Sequence, residues 1–371
     1  MRVTQQMMID GMMYQITRQA SLLYDTEIKV GANRQINTPS DDVISTRMIL
    51  ADRATISKYS QYQSNILQAE NWIEADVNIL DTVYDLLQDA IEVATQQSSG
   101  ELDNQDIALE QFMRFSDEIV DLANSRYGGG YMYSGDQTST QPFFMETTVD
   151  GGAASDIVFD LADAAATVTV EISDSSGNVV RTINVGACAA GANTIAWNGL
   201  DDLGATLPDG DYSFSVTAED ASGQAVGSYP TYRGDTGTKQ VIVGEGQTVE
   251  LNRDGESIFS SALRVLSEAI AAMQSVPYDP TALSNLFDDF ETAASEVKAE
   301  MIDLSTVNLR LENTDDRLAL TTLTVETRLS ETLVGSTEEA AVKLQAQQTA
   351  YETTMSAMAQ ILDLTPLIKY L

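Results

Sequence analysis

Apolar residues near the start of the chain recur at alternating steps of four and three: Ile9, Met13, Ile16, Ala20, Leu23 and Val30, with Glu27 the one polar interruption. That spacing puts them on one face of a long helix and reads as a coiled-coil seam. Gly31-Ala32-Asn33-Arg34 breaks the pattern. Thr38 or Ser40 beside Pro39, with Asp41 and Asp42 behind, predicts the next helix start: a hydroxyl cap, a fixed φ, then negative charge at the positive end of the helix dipole. In that helix Ile66, Ile73, Leu80, Leu87 and Ala94 step by seven, with Val77, Tyr84 and Ile91 in the second seam position. Ser98-Ser99-Gly100 ends it, and an amphipathic helix over about 103–125 turns back. The other end mirrors this one. Leu304, Leu311, Leu318 and Val325 again step by seven, and after Gly335 a last helix carries Leu344, Tyr351, Met355, Met358 and Leu362 before Pro366.

Between the helical ends the period changes to two. Gly128-Gly129-Gly130 marks a sharp break before Tyr131-Met132-Tyr133, which reads as a short strand. From about 152 to 228, Thr167–Ile172 alternates, Asp174-Ser175-Ser176-Gly177 turns, and Val179–Ile183 returns. Thr194–Trp197, the turn Pro208-Asp209-Gly210 and Tyr212–Val216 continue the series. Short strands with tight turns predict a small β-sandwich, with Trp197 as its anchor. Trp72, beside the seam residue Ile73, reads as packing. Helices at both ends imply that the termini pair and that the β-rich middle is an insertion.

Composition narrows the chemistry. The 371 residues hold 20 Lys+Arg against 56 Asp+Glu, a formal charge of −36. Such a charge repels nucleic-acid phosphates and anionic headgroups. With 43% hydrophobic residues the chain has ample material for a core. Histidine is absent, which removes His-based general bases, triads and zinc sites. The single Cys188 makes neither an internal disulfide nor a CxxC knuckle, and no basic neighbour activates it. Asn198, Asp201, Asp202, Asp209 and Asp211 are oxygen-rich, but Asp-Gly turns explain them without an ion. Capping likewise explains the Asp41-Asp42 pair without catalysis. No run of about 18 apolar residues marks a membrane span, and the N-terminus has no charged n-region followed by an apolar one. Five of the thirteen methionines lie within residues 1–13, and their adaptable packing suits a surface that becomes buried on assembly.

Arg34-Gln35-Ile36-Asn37-Thr38-Pro39-Ser40-Asp41-Asp42, after this methionine-rich head, resembles the shared N-terminal block of flagellins and flagellar hook-associated proteins. Three further blocks resemble the flagellar hook-associated protein 3 family, the hook–filament junction proteins of the flagellin superfamily. They are Arg126–Asp136 leading to Pro142-Phe143; Tyr232-Arg233-Gly234-Asp235 followed by Val249–Asn252 and Gly255–Phe259; and Gln347–Glu352. Within residues 152–228, Ile172–Thr182, Trp197–Asp202 and Leu207–Tyr212 are similar to the immunoglobulin-like module of the flagellar hook-capping protein.

The resemblance implies a mainly α fold with a β insertion: a long antiparallel coiled-coil or helical-bundle rod formed by paired N- and C-terminal segments, with a small Ig-like sandwich projecting from it. The expected division is 1–40, an axial-core helix disordered in the monomer; 41–147, helical rod; 148–228, Ig-like insertion; 229–254, β-rich return; 255–335, helical rod; and 336–371, the C-terminal axial-core helix. Subunit packing is expected at Ile9, Met13, Ile16, Leu23, Val30, Leu344, Tyr351, Met355, Met358 and Leu362. The implied role is structural and not enzymatic, joining hook to filament, with no cofactor, no nucleic acid and no membrane insertion. The implied partners are flagellin, another hook-associated protein, copies of itself in one layer, and an export chaperone at the C-terminal helix. The implied location is the extracellular flagellum, reached by flagellar type III export without cleavage. A variant flagellin remains an alternative, as does a secreted carbohydrate-binding protein that uses the acidic β module.

Overall fold

The structure, a computed structural model, describes residues 5–34, 36–40, 42–99, 104–144, 148–151, 155–275, 278–334 and 337–368. Its helices are α1 (Gln5–Gly31), α2 (Val43–Ser98), α3 (Gln105–Ala123), α4 (Gly255–Gln274), α5 (Pro280–Asn285), α6 (Phe287–Val334) and α7 (Thr337–Ile368). Among the described residues no helix is long and apolar enough to cross a membrane. The chain divides into two compact units, Met1–Ser64 with Asp315–Leu371, and Asn65–Thr314. Helices α2 and α6 contribute to both.

In the first unit α1 packs on α7. Lys29 and Val30 near the end of α1 line one groove with Glu339 and Lys343 near the start of α7, so the two helices run antiparallel. The beginning of α2 and the end of α6 are antiparallel too. Arg328 grips the Asp52 carboxylate with both Nε, at 3.1 Å, and Nη2. Around that pair Ile49, Tyr62, Leu318 and Val325 are buried.

The expected hydroxyl cap of α2 is not the observed one. Thr38 Oγ1 and Ser40 Oγ bond each other at 2.9 Å, and Pro39 lies in a turn before the helix. Asp42 is the cap: its Oδ1 accepts from Ile44 N (2.9 Å) and Ser45 N (3.1 Å), and its Oδ2 accepts from Ser45 Oγ (2.7 Å). A carboxylate reaches two orphan amides and suits the positive end of the dipole, so it outcompetes a hydroxyl. The Ser45 hydroxyl and amide hold the Asp42 carboxyl below its ordinary range.

The second unit has a helical core. The heptad residues Ile66, Ile73, Leu80, Leu87 and Ala94 of α2 are all buried, as are Leu304 and Leu311 of α6. Helix α3 packs on α4, and the Phe112 and Phe290 rings stack at 6.4 Å. The expected strand at Tyr131–Tyr133 is shorter than its sequence reads. Only β2 (Gly130–Tyr131) pairs, with β1 (Arg126–Tyr127), and Met132 and Tyr133 turn inward to be buried.

The insertion enters through β3 (Phe143–Phe144) and leaves through β12 (Thr231–Tyr232). Between them run β4 (Thr148–Gly151), β5 (Ser155–Leu161), β6 (Ala165–Ser173), β7 (Val179–Cys188), β8 (Gly191–Trp197), β9 (Gly210–Glu219), β10 (Ala225–Val226) and β11 (Ser228–Tyr229). One antiparallel sheet has the order β10-β9-β6-β7, with β4 also on β9; the other has the order β11-β5-β8. Alternation decides what faces inward: Ile157, Phe159 and Leu161 from β5 meet Val168, Val170 and Ile172 from β6 in one core. Trp197 is buried there, donates Nε1–H to Leu200 O at 3.1 Å, and packs edge-on to Tyr212 at 5.9 Å. The Tyr212 hydroxyl in turn donates to Pro208 O at 3.1 Å. Cys188 is half-buried against this core. The free edge of β7 is partly covered by the loop after β8. Asp202 N donates to Val180 O (3.1 Å) and Thr182 N donates to Asp202 Oδ1 (3.2 Å), which blunts an edge open to foreign strands.

Beyond β12, the hairpin β13 (Gln240–Gly244) and β14 (Gln247–Glu250) leads into α4.

Candidate assembly surfaces

The residues expected to pack between subunits lie on α1 and α7. Ile9, Ile16, Leu23 and Val30 on α1, and Leu344, Tyr351 and Met358 on α7, are half-buried; none is fully covered. Met13 and Met355 are exposed, at 51% and 45%, and the Leu362 side chain lies outside the described residues. Beside this seam, Met7, Tyr14, Tyr24 and Ile28 on α1 and Val342 on α7 are also exposed. Two helices can shield only one strip of each other. A pair with apolar residues on more than one face therefore leaves some of them to water unless further chains cover it.

The motif blocks of the middle region do something different: they build a neck. The Tyr133 hydroxyl donates to Asp76 Oδ1 on α2 at 2.5 Å. Its carbonyl accepts from Gly255 N (3.1 Å) and from the Tyr232 hydroxyl (3.0 Å). Its ring meets Phe259 edge-on at 4.7 Å, and Phe259 meets Phe143 at 5.9 Å. Asn124 behaves as a strand partner for Phe143, donating Nδ2–H to its carbonyl (2.8 Å) and accepting its amide at Oδ1 (2.9 Å). Gly135 is required by geometry: at φ +66° an added Cβ would lie 2.0 Å from Asp235 Oδ1. That Asp235 oxygen accepts from Asp136 N (2.6 Å) and Gly237 N (3.0 Å). Buried Asn252 accepts from Lys239 N and donates to Gly237 O at 3.0 Å. The pairs Phe144–Thr231 and Phe143–Tyr232 close the neck, so the insertion's two ends lie side by side.

This node is electrostatically costly. Burial pushes the Asp76 carboxyl up to about 6, against the opposing effects of the Tyr133 hydroxyl and Arg253. Burial and the neighbouring Asp76 push the Tyr133 phenol up, and burial does the same to Tyr232. Arg253 is paired with Glu300 (2.9 Å) and Asp303 (2.8 Å) on α6.

The remaining candidate residues have local roles. Asp201 Oδ1 accepts from Leu203 N (2.9 Å) and Ala205 N (2.8 Å), Asp202 pairs with Arg181 at 3.5 Å, and Asn198 Oδ1 accepts from Leu200 N at 3.3 Å. The Asp211 side chain and Asp41 lie outside the described residues. Among the described residues no group of three or more His, Cys, Asp or Glu is disposed to hold a metal ion. Trp72 packs edge-on to Tyr127 at 5.2 Å, with Lys239 Nζ 5.7 Å from its ring. Sequence reasoning missed Asp76 and Asn124. Each sits at an unremarkable position in a helix or at its end, and only the tertiary fold brings Tyr133 or Phe143 to it.

Residues 145–227 match the family model of the FlgD Ig-like domain. The chain is 30% identical over 128 residues to the basal-body rod modification protein FlgD of Salmonella typhimurium, which covers 34% of this chain and 49% of that protein. It is 26% identical over 174 residues to flagellar hook-associated protein 3 of Salmonella typhimurium, which covers 46% of this chain and 54% of that protein. The chain thus spans about half the length of the curated relatives it matches. Among solved structures, a flagellar hook-associated protein from Vibrio parahaemolyticus shares the fold, with a TM-score of 0.52, 16% identity, and coverage of 79% of this chain and 100% of that one. The chain therefore combines a helical body similar to flagellar hook-associated protein 3 with an inserted segment that matches the FlgD Ig-like domain.

Proposed function

We propose that this protein joins the flagellar hook to the filament, and that the α1–α7 pair is the surface it buries on assembly. The observation that carries the reading is the half-covered seam from Ile9 to Val30 and from Leu344 to Met358, beside the exposed Met7, Met13, Tyr14 and Tyr24. A surface this apolar is stabilised by neighbouring copies, with the flexible methionines adjusting to partners of unequal shape. The neighbours in this reading are flagellin on one side, another hook-associated protein on the other, and copies of the chain within one layer. Ile9, Met13, Ile16, Leu23, Val30, Leu344, Tyr351, Met355, Met358 and Leu362 supply the contacts. Before assembly the same stripe on α7 needs shielding, which suits a chaperone bound there during type III export without cleavage. Electron microscopy of a strain lacking the protein tests the reading. Intact hooks without filaments, and flagellin lost to the medium, are expected. Normal filaments in that strain would refute it. If the protein instead makes up most of the filament mass, it is a filament-forming flagellin.

A further inference from the structure

The Ig-like module is held by more than its neck. Its segment β10–β11 lies on α4, and at the contact the backbones nearly touch: a Cβ added to Gly227 would stand 2.3 Å from Ser267 O. Gly227 O accepts from Ala162 N at 2.9 Å, which fixes this edge to the rest of the module.

Around that keyed contact the ionisable groups are unbalanced. From the module come Asp160 on β5, which is 6% exposed, Asp163 just beyond β5, and Tyr229 on β11, the register partner of Asp160. From α4 come Arg264, Glu268 and Glu256, and from α6 comes Asp289. Arg264 is the cation of this group; it holds Glu268 at 2.7 Å and Asp289 at 3.6 Å. Against the burial of Asp160, the Thr231 hydroxyl stabilises its carboxylate. Asp160 is buried and Glu268 half-buried in the seated state, while Asp163 and Glu256 are exposed. Arg264 is already shared by Glu268 and Asp289, so seating takes the Asp160 carboxyl out of water without matching it with a base.

We propose that this contact is a proton-dependent latch. With its carboxyl groups protonated the module stays seated on α4, and their ionisation frees it to move about the β3–β12 neck. Burial pushes both the Asp160 and Glu268 carboxyls above their ordinary values, and it pushes the Tyr229 phenol up as well. A carboxyl raised in the seated state binds more protons there than when released. Seating is therefore strongest below the ordinary carboxylate range and weakens as pH rises from that range through the raised values.

The test uses the full-length chain in a C188S background, with a donor–acceptor dye pair at L203C on the module and I302C on α6, both exposed positions. Single-molecule energy transfer is read from pH 4.5 to 8.5. One narrow population at low pH, joined by a second as pH rises, is expected. D160N/E268Q should abolish the second population, and G227A should produce it at every pH because its Cβ wedges the contact apart. A single unchanged population across the whole pH range in the parent chain would overturn the proposal. So would a pH response that survives in D160N/E268Q, or a G227A chain that stays seated throughout.

Discussion

Helices α4 and α1 both carry apolar residues at helical spacing, yet the two seams differ in depth. Ile258, Phe259, Leu263 and Leu266 on α4 are buried, whereas Ile9, Ile16, Leu23 and Val30 on α1 are only half-covered. Helix α4 is enclosed by α3, the neck aromatics and the module edge, while α1 is packed against α7. Periodicity therefore says which face of a helix is apolar, and the number of neighbouring elements says how dry that face becomes. A full set of neighbours within the chain makes a folding core. An incomplete set leaves a surface for other chains to complete.

The comparison is sharpest where the core is tightest. Phe259→Ala removes a fully buried ring that two other rings pack against, and should cost about 3–5 kcal/mol in denaturant unfolding. A cost below about 1 kcal/mol there would mean that the neck is not the dry core described. Asp76 comes next, and its effect has the opposite sign. Its carboxyl is raised to about 6 in the fold, so the folded state holds a proton that the unfolded chain releases. Stability should therefore fall as pH rises from the ordinary carboxylate range, near 4, to about 6, and then level off. Asp76→Asn keeps an acceptor for Tyr133 and cannot ionise. It should flatten that profile and raise stability at pH 8 by up to about 3 kcal/mol. An unchanged slope of unfolding free energy against pH in that variant would show that Asp76 is not the group responsible. Asn124→Ala leaves the Phe143 amide without its partner, while the carbonyl still accepts from Gln141 Nε2 at 3.1 Å, and should cost about 1–3 kcal/mol. The smallest effect is expected on the other side of the comparison. Leu23→Ala in the half-covered seam should change monomer unfolding by less than about 1 kcal/mol, because water already reaches that side chain. A loss as large as that of Phe259→Ala would make α1 a monomer core.

Much of this was legible in the sequence. The first seam position of the α2 and α6 heptads, the inward face of β6 and the anchoring Trp197 follow from local patterns and are buried where those patterns put them. The expected second position on α2 is not the observed one: Val77, Tyr84 and Ile91 are only half-buried, and Ala69, Val83 and Ala90, three residues after a first-position residue, are buried in their place. The cap of α2 is ambiguous between neighbours, since Thr38, Ser40 and Asp42 are all capping types and only backbone geometry selects Asp42. The neck is visible as two of the motif blocks but not as one structure. Its cohesion depends on Asp76 and Asn124, which are 57 and 19 residues away from the partners they meet. Nor does any periodic pattern show that Gly227 is keyed into α4, because a glycine before a strand reads first as a turn.

The central claim is that α1 and α7 are apolar for the benefit of neighbouring chains. It is tested most directly by maleimide labelling of M13C and M355C in a C188S background, with L203C as the exposed reference, in the purified chain and again in assembled flagella. The account predicts fast labelling at all three positions in the free chain. In the assembly, positions 13 and 355 should be blocked while position 203 stays reactive. Equal labelling of positions 13 and 355 in the free and assembled states would contradict it.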